Sequence, residues 1–128
     1  MLHLPGLYIA PSPKRGRGMF TAQPIAVDDV IEICPVVVLP VDQRPLIDKT
    51  KLYDYYFLWS KPKHSIAIVL GYGSIYNHSV QPNAEMEANT NHLTMTIKCI
   101  RPITPGEEIF INYEGDGKEG VKLWFKPV

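Results

Sequence analysis

Prolines and glycines are spread along the whole chain and divide it into short apolar runs. The 128 residues include 12 prolines and 9 glycines, with no low-complexity linker and no internal repeat between the runs. Such punctuation of β-rich runs is typical of a domain built from short strands and tight turns. We therefore predict a mainly β fold.

Length and composition predict one domain spanning residues 1–128. A chain of 14.5 kDa with 45% apolar residues can bury a single core and has little to spare for a second. The formal net charge is zero and the pI is near neutral. This balance removes the overall electrostatic argument for binding nucleic acid or an anionic membrane, and we expect neither as a direct partner.

Cysteine use and apolar content predict the compartment. Cys34 and Cys99 each lie in an apolar, strand-like run, which favours buried reduced thiols over a disulfide framework or a zinc site. No segment approaches the ~20 apolar residues that a membrane span needs, and the N-terminus lacks the pattern of a signal peptide. We expect a soluble intracellular protein.

The predicted strands differ in how clearly the sequence marks them. A hairpin is expected where apolar and polar residues alternate on both sides of a turn at residues 89–91. In the longest run, residues 30–39, Pro35 indicates a bend or an edge position. The other predicted strands cover residues 6–10, 19–22, 64–70 and 108–112, and residues 11–18 are predicted to form a loop.

One principal helix is predicted from Asp42 to Trp59. Asp42 is placed to cap it and Pro45 suits its first turn. Four side chains fall on one face at helical spacing: Leu46, Thr50, Tyr53 and Phe57. The aromatic residues near its end are expected to pack in the core for the most part.

The candidate site is the stretch from Gly71 to Ala84, GYGSIYNHSVQPNA. It is an irregular polar loop between a predicted strand and the predicted hairpin, so Asn77, His78 and Asn83 can be presented at fixed places. The standard motifs of nucleotide-binding loops, Cys-x-x-Cys pairs and His-Glu-x-x-His sites are absent from the sequence. The histidines match no common ligand spacing, and no metal site is predicted. These residues alone indicate a polar pocket and name no reaction.

Three motifs in this order carry a resemblance to a known family. They are RGRGMF at residues 15–20, YNHSVQPNA at residues 76–84 and PGEEIFINY at residues 105–113. Together they resemble the SET domain of S-adenosylmethionine-dependent protein-lysine methyltransferases. The resemblance covers residues 7–116. In particular, the chain is similar to the compact SET-only proteins of viruses and bacteria. Their order of Asp-Tyr, Leu-Gly-aromatic-Gly and Asn-His recurs here at residues 54–55, 70–73 and 77–78.

The resemblance implies a fold and a set of site residues. The fold is β-clip-like, with several small sheets and a C-terminal strand that threads under a loop in a knot-like arrangement beside Asn77-His78. Catalytic roles fall to Tyr113 and Tyr55. The implied cofactor-binding residues are Gly16, Arg17, Gly18, Asn77, His78 and Tyr113. The implied substrate channel is lined by Tyr55, Tyr72, Tyr76 and Trp124.

The implied reaction is an in-line methyl transfer from S-adenosyl-L-methionine to a lysine ε-amine, which leaves S-adenosyl-L-homocysteine. The enzyme contributes mainly alignment, and an aromatic channel would lower the lysine pKa from about 10.4 so that the amine arrives neutral. The implied substrate is a lysine-bearing protein or peptide, either a histone-like tail or another cellular protein. The expected location is the cytoplasm, or chromatin if the substrate is a histone.

The sequence also departs from the family pattern. Val80 replaces a cysteine, no cysteine-rich segment follows the domain, and the second tyrosine found after Tyr113 in many members is missing, which leaves the number of methyl groups open. In the tail, residues 117–128, the run Leu123-Trp124-Phe125 is expected either to close the channel or to form a homodimer contact. Two alternatives remain open: a catalytically silent SET module that binds a protein or peptide, and, more weakly, a metal-dependent hydrolase.

Overall fold

A computed structural model describes residues 2–13, 15–59 and 65–113. The strands in these ranges are β1 (Leu2–His3), β2 (Leu7–Ser12), β3 (Gly16–Thr21), β4 (Val30–Leu39), β5 (Phe57–Leu58), β6 (Ile66–Val69), β7 (Asn77–His78), β8 (Ala84–Asn89), β9 (Thr94–Cys99) and β10 (Glu108–Ile111). The helical segments are α1 (Arg44–Ile47) and two 3-10 helices, Val41–Gln43 and Lys51–Asp54. The mainly β prediction is confirmed. No helix within the described ranges is long and apolar enough to cross a membrane.

The larger sheet forms the scaffold and has β4 at its centre. Its strand order is β5-β6-β4-β9-β8, and β1 also pairs with β4. The first half of β4 pairs with β9 as far as Pro35, and the second half pairs with β6 from Val36 onwards. Pro35 therefore lies at a change of partner strand within a central strand, so of the two predicted positions, a bend or a sheet edge, the edge is excluded.

The predicted hairpin is confirmed as β8 and β9. Its register runs from Ala84 opposite Cys99 to Asn89 opposite Thr94. Alternate residues of β9 are buried and belong to the core: Met95, Ile97 and Cys99. The second cysteine, Cys34, is also buried, and both are free thiols, as the sequence predicted.

The smaller sheet assembles the three motifs. Its strand order is β2-β3-β10-β7, with β10 antiparallel to β3 and parallel to β7. The predicted loop at residues 11–18 is wrong: β2 and β3 form a hairpin whose register continues to Ser12 opposite Gly16. Because β10 lies between β3 and β7, the glycine motif, Asn77-His78 and the segment leading to Tyr113 become neighbours. The implied threading also involves the chain after β10, and residues 114–128 lie outside the described ranges.

The predicted long helix is wrong in extent, since residues 42–59 contain only short helical segments. Pro45 does lie in the first turn of α1, but α1 ends at Ile47. Thr50 is extended, and its side chain accepts a hydrogen bond from the Leu52 backbone amide (3.2 Å), so it starts a new 3-10 helix. Phe57 is taken into β5, where it pairs with Ala67. Strand pairing has overridden helical spacing.

Candidate active site

A cavity of about 490 Å³ opens where the three motifs meet. It is lined by Gly16 and Arg17 of β3, Asn77 of β7, Tyr113 after β10, and Tyr55 after the second 3-10 helix. Five further lining residues were not singled out as site residues from the sequence: Arg15, Lys51, Asp54, Ser74 and Ile75. The structure thus brings one residue or more from each predicted motif to a single cavity.

The side chain of Asn77 has a fixed orientation. Its Nδ2 donates to the Arg17 carbonyl oxygen (2.9 Å) and to Glu108 Oε2 (2.8 Å). Both partners are acceptors, which assigns the NH₂ group to their side of the amide. The other end, Oδ1, accepts no hydrogen bond from the described residues and is left as an acceptor at the cavity.

Glu108 is the residue behind this orientation. Its side chain is only 9% exposed, and while Oε2 accepts from Asn77, Oε1 accepts from the Ser12 hydroxyl (2.6 Å). Gly18 lies against both groups: a Cβ at this position would collide with Glu108 Oε2 and lie 2.8 Å from Asn77 Nδ2. Gly18 therefore serves the site by making room for this hydrogen-bonded cluster, although it does not itself line the cavity.

Tyr113 is held at four points. Its hydroxyl donates to the Tyr76 carbonyl oxygen (2.7 Å), and its backbone amide donates to His78 Nδ1 (3.0 Å). Its ring packs edge-on against Phe57 and tilted against His78, with centroid distances of 5.6 and 5.2 Å. Burial, and secondarily the neighbouring Tyr55, raise the pKa of the Tyr113 phenol, so the hydroxyl keeps its proton at neutral pH. In the structure it is therefore a hydrogen-bond donor in a fixed position.

His78 supports the site from behind. It is buried, and because its Nδ1 accepts from the Tyr113 amide, that nitrogen must be unprotonated. Asn83 fixes the same loop to β10: its Nδ2 donates to the Glu108 carbonyl oxygen (2.9 Å), and its Oδ1 accepts from the Phe110 amide (2.8 Å). These contacts hold the Asn-His motif and the Tyr113 segment at a constant separation.

Two predicted channel residues do not line the cavity. Tyr76 is 1% exposed, and its hydroxyl donates to Glu32 inside the protein, so only its carbonyl oxygen reaches the Tyr113 hydroxyl. The Tyr72 ring packs edge-on against His3, with the centroids 5.6 Å apart, and against the core. Neither Tyr72 nor Tyr76 is among the residues that line this cavity, which differs from the channel positions predicted for them. Trp124 lies outside the described residues.

The electrostatics of the cavity are mixed. Arg15, Arg17 and Lys51 supply positive charge at its edge, and Asp54 supplies negative charge. The Arg15 guanidinium lies over the Phe110 ring, 5.2 Å from its centroid, which limits its freedom. Together with Asn77 Oδ1, these groups suit a ligand that carries both an ammonium and a carboxylate. Within residues 2–13, 15–59 and 65–113, no group of three or more metal-binding side chains is arranged to hold an ion.

Comparison with known proteins places the chain in a family. The sequence profile of the SET domain matches residues 16–114. A histone-lysine N-methyltransferase of Schizosaccharomyces pombe, specific for H3 lysine-37, is 31% identical over 121 residues, which are 94% of this chain and 77% of the relative. The crystal structure of a candidate histone methyltransferase of Plasmodium falciparum matches with a TM-score of 0.69 and 31% identity, over 88% of this chain and 95% of that one. The chain therefore belongs to the SET-domain family and is, by class, a protein-lysine methyltransferase.

Proposed function

We propose that the protein transfers a methyl group from S-adenosyl-L-methionine to the ε-amine of a lysine in a histone or histone-like substrate. The proposal rests on one observation: Asn77, Tyr113 and Gly16 of β3 line the same cavity. Each of these groups is fixed by hydrogen bonds within the protein, and alignment of reactants is the main contribution an enzyme can make to such a displacement.

The residues at the cavity suit this cofactor. A volume of about 490 Å³ lies in the range of small-molecule sites. Asn77 Oδ1 is an acceptor for the ammonium of the cofactor's amino-acid end, while Arg15, Arg17 and Lys51 are candidates for its carboxylate. The glycine at position 18 keeps the strand close to Asn77, where a Cβ would displace the amide.

When bound, the cofactor supplies a methyl group activated by a sulfonium. Asn77 and the β3 backbone would hold its amino-acid end and so would set the position of the methyl group. The Tyr113 hydroxyl donates to the Tyr76 carbonyl oxygen, which fixes its direction, and a phenolic oxygen is also an acceptor that suits a donor on the incoming amine. Tyr113 thereby orients the lysine, and Phe57 and His78 keep its ring in place.

The lysine must reach the site without its proton. Its ordinary pKa is about 10.4, and transfer to a half-buried aromatic surface disfavours the charged form. Tyr55 and Tyr113 provide such a surface next to the cavity. Since the pKa of Tyr113 is raised, the tyrosine does not remove this proton, and we assign its departure to solvent before the amine enters.

A histone substrate is favoured by the names of both relatives. The curated relative is specific for histone H3 lysine-37, and the structural neighbour is a candidate histone methyltransferase. The balanced overall charge of this chain gives no electrostatic reason to prefer a particular basic tail. We propose a histone-type tail, with chromatin association as the matching location, and leave the target lysine to mapping by mass spectrometry.

Transfer of labelled methyl groups tests the proposal. The purified protein is incubated with methyl-labelled S-adenosyl-L-methionine and core histones, or with a total protein mixture, and labelled lysine is identified after digestion. The proposed function predicts lysine labelling that is lost in Tyr113→Phe. Cofactor binding without labelling of any protein would instead support a catalytically silent SET module, and absence of cofactor binding would contradict the proposed function.

A further inference from the structure

A second buried carboxylate, Glu32, lies behind the site and belongs to none of the three motifs. It lies near the start of β4 and is 0% exposed. Oε1 accepts from the Tyr76 hydroxyl (2.7 Å), and Oε2 accepts from the Tyr72 backbone amide (2.9 Å). Burying such a group has a substantial free-energy cost even when it is hydrogen-bonded, so its presence in a core strand calls for a role.

The two donors that Glu32 accepts from are the two ends of one loop. Residues 72–76 form the last part of the connection between β6 and β7 and lead directly into β7. Between the ends, Ser74 and Ile75 line the cavity. The loop is also bonded internally, since the Ile75 amide donates to the Tyr72 carbonyl oxygen (2.9 Å). Glu32 therefore fixes both ends of a loop whose middle lines the cavity.

The same loop determines the position of the catalytic tyrosine. Tyr76 donates its hydroxyl to Glu32 and, through its own carbonyl oxygen, accepts the Tyr113 hydroxyl (2.7 Å). Tyr76 thus links Glu32 of β4 to the Tyr113 hydroxyl, through one hydrogen bond at its side chain and one at its backbone. Cys34, on the same strand, is equally buried, and burial together with the charge of Glu32 raises the pKa of its thiol, which leaves it unreactive.

We propose that Glu32 is a positioning residue for the methyl transfer: by bonding both ends of the loop at residues 72–76, it places the Tyr76 carbonyl oxygen that orients the Tyr113 hydroxyl. The inference rests on the proposed function for its effect on catalysis. Its structural half, the dependence of Tyr113 on Glu32, holds or fails independently of any substrate.

The kinetic test uses Glu32→Ala and the conservative Glu32→Gln. Glu32→Ala removes both acceptors and should lower kcat by about tenfold or more, because small misplacements of a catalytic group have effects of this size. Glutamine keeps one acceptor for the Tyr72 amide and can donate to the Tyr76 hydroxyl oxygen, so Glu32→Gln should retain kcat within about threefold. Ile97→Ala, a buried truncation on β9 directly opposite Glu32, is the matched control, because it removes packing beside Glu32 and leaves the hydrogen bonds of Glu32 in place.

A double-mutant cycle separates positioning from general structural damage. If Glu32 acts through the Tyr113 hydroxyl, Glu32→Ala should cause little further loss of kcat in a Tyr113→Phe background. A multiplied loss in the double variant would overturn the proposal. Should Glu32→Ala not fold, Tyr76→Phe carries the same cycle, since it removes only the hydroxyl that Glu32 binds.

A spectroscopic measurement tests the positioning without any turnover. In protein labelled with carbon-13 at the tyrosine Cζ, the Tyr113 resonance is assigned by its loss in Tyr113→Phe. Glu32→Ala, or Tyr76→Phe in its place, should shift this resonance, and Glu32→Gln and Ile97→Ala should not. An unmoved resonance would overturn the proposal, whereas a moved resonance in a protein that methylates nothing would refute only the proposed function.

Discussion

The two buried carboxylates hold different sides of the site in different ways. Glu108 accepts directly from the side chain of a cavity residue, Asn77, and also from the Ser12 hydroxyl. Glu32 acts one step further away, because it accepts from the Tyr72 amide and the Tyr76 hydroxyl, and the Tyr76 carbonyl oxygen in turn accepts from the Tyr113 hydroxyl. Among the described residues, the donors that bond these two carboxylates are all neutral: a hydroxyl and an amide side chain for Glu108, and a phenol and a backbone amide for Glu32.

This difference separates two functions that share one cavity. Glu108 orients the Asn77 amide at the cavity, so its replacement should weaken cofactor binding. Glu32 acts through Tyr76 on the position of the Tyr113 hydroxyl, so its replacement should slow the chemical step. Variants on the two sides are therefore expected to affect different kinetic constants, and the following experiments are ordered from the largest effect to the smallest.

Tyr113→Phe should have the largest effect. The ring still packs against Phe57 and His78, but the hydroxyl bonded to Tyr76 is lost. Loss of one preorganised hydrogen-bonding group at the reacting atoms predicts a fall in kcat of about 100-fold. Cofactor Kd, measured by titration calorimetry, should stay within about twofold. Equal losses in kcat and binding would break the proposed division between the two sides.

Gly18→Ala should come next and act on binding. The added Cβ falls on the Glu108 carboxylate and the Asn77 amide, which must then shift. Overpacking of this kind costs about 1–3 kcal/mol, equivalent to an increase in cofactor Kd of one to two orders of magnitude.

Gly106→Ala provides the matched control for this variant. Gly106 has a φ of +90° but open space around its Cβ position, so alanine there introduces backbone strain away from the cavity. It should lower thermal stability and leave cofactor Kd unchanged. If both glycine variants weakened binding equally, the contact of Gly18 with Asn77 would not be the cause.

Glu108→Ala should raise cofactor Kd about tenfold and leave kcat at saturating cofactor nearly unchanged. The variant frees the Asn77 amide to rotate and leaves the Ser12 hydroxyl without its acceptor. Glu108→Gln should recover most of the affinity, since its amide oxygen can still accept from Asn77. Kinetic titration of cofactor with both variants measures the effect, and a change confined to kcat would reverse the assigned roles of Glu32 and Glu108.

The smallest effect is on the free energy of unfolding at alkaline pH, where the buried tyrosines Tyr76 and Tyr113 differ from unfolded tyrosine. Burial raises the pKa of Tyr113 and Tyr76, and the charge of Glu32 raises that of Tyr76 further. Unfolded tyrosine ionises near pH 10, so above this pH the unfolded chain releases protons that the folded protein keeps. Stability is full below about pH 10 and should fall by up to about 1.4 kcal/mol per pH unit for each tyrosine above it.

Chemical denaturation between pH 8 and pH 12 measures this dependence. Tyr76→Phe should lower the slope above pH 10, because phenylalanine has no proton to lose. Val36→Ala, a buried truncation that removes no titrating group, is the control and should lower stability without changing this slope. A fall in stability that begins well below pH 9 would contradict the tyrosine origin of the effect.

What the sequence could predict depended on how local the determining contacts are. The β8–β9 hairpin was predictable because its alternation and turn lie within sixteen consecutive positions, residues 84–99. The helix at residues 42–59 was predicted wrongly because its spacing was helical, while Phe57 and Leu58 found strand partners in β6. The β2–β3 hairpin was predicted too short, because the prolines and glycines of residues 11–18 indicated a loop. Its outer strand extends to Ser12, whose hydroxyl bonds Glu108, 96 positions later.

The site followed the same rule. Asn77 and Tyr113 were found through motifs, and the structure brings both to the cavity. Glu32 and Glu108 were missed as site residues because their partners lie 31 to 96 positions away in sequence. A signal was present for Glu32, a single charged residue inside the β-branched run of residues 30–39. Such a residue in a central strand indicates a buried acceptor, although only the fold shows what it binds.

Mass spectrometry of histone H3 after incubation with the protein and S-adenosyl-L-methionine tests the central claim most directly. The predicted result is a methyl group on a defined lysine with wild-type protein and about 100-fold less with Tyr113→Phe, while both proteins bind the cofactor with similar affinity. Unmodified histone in the presence of bound cofactor, or equal methylation by Tyr113→Phe, would contradict it.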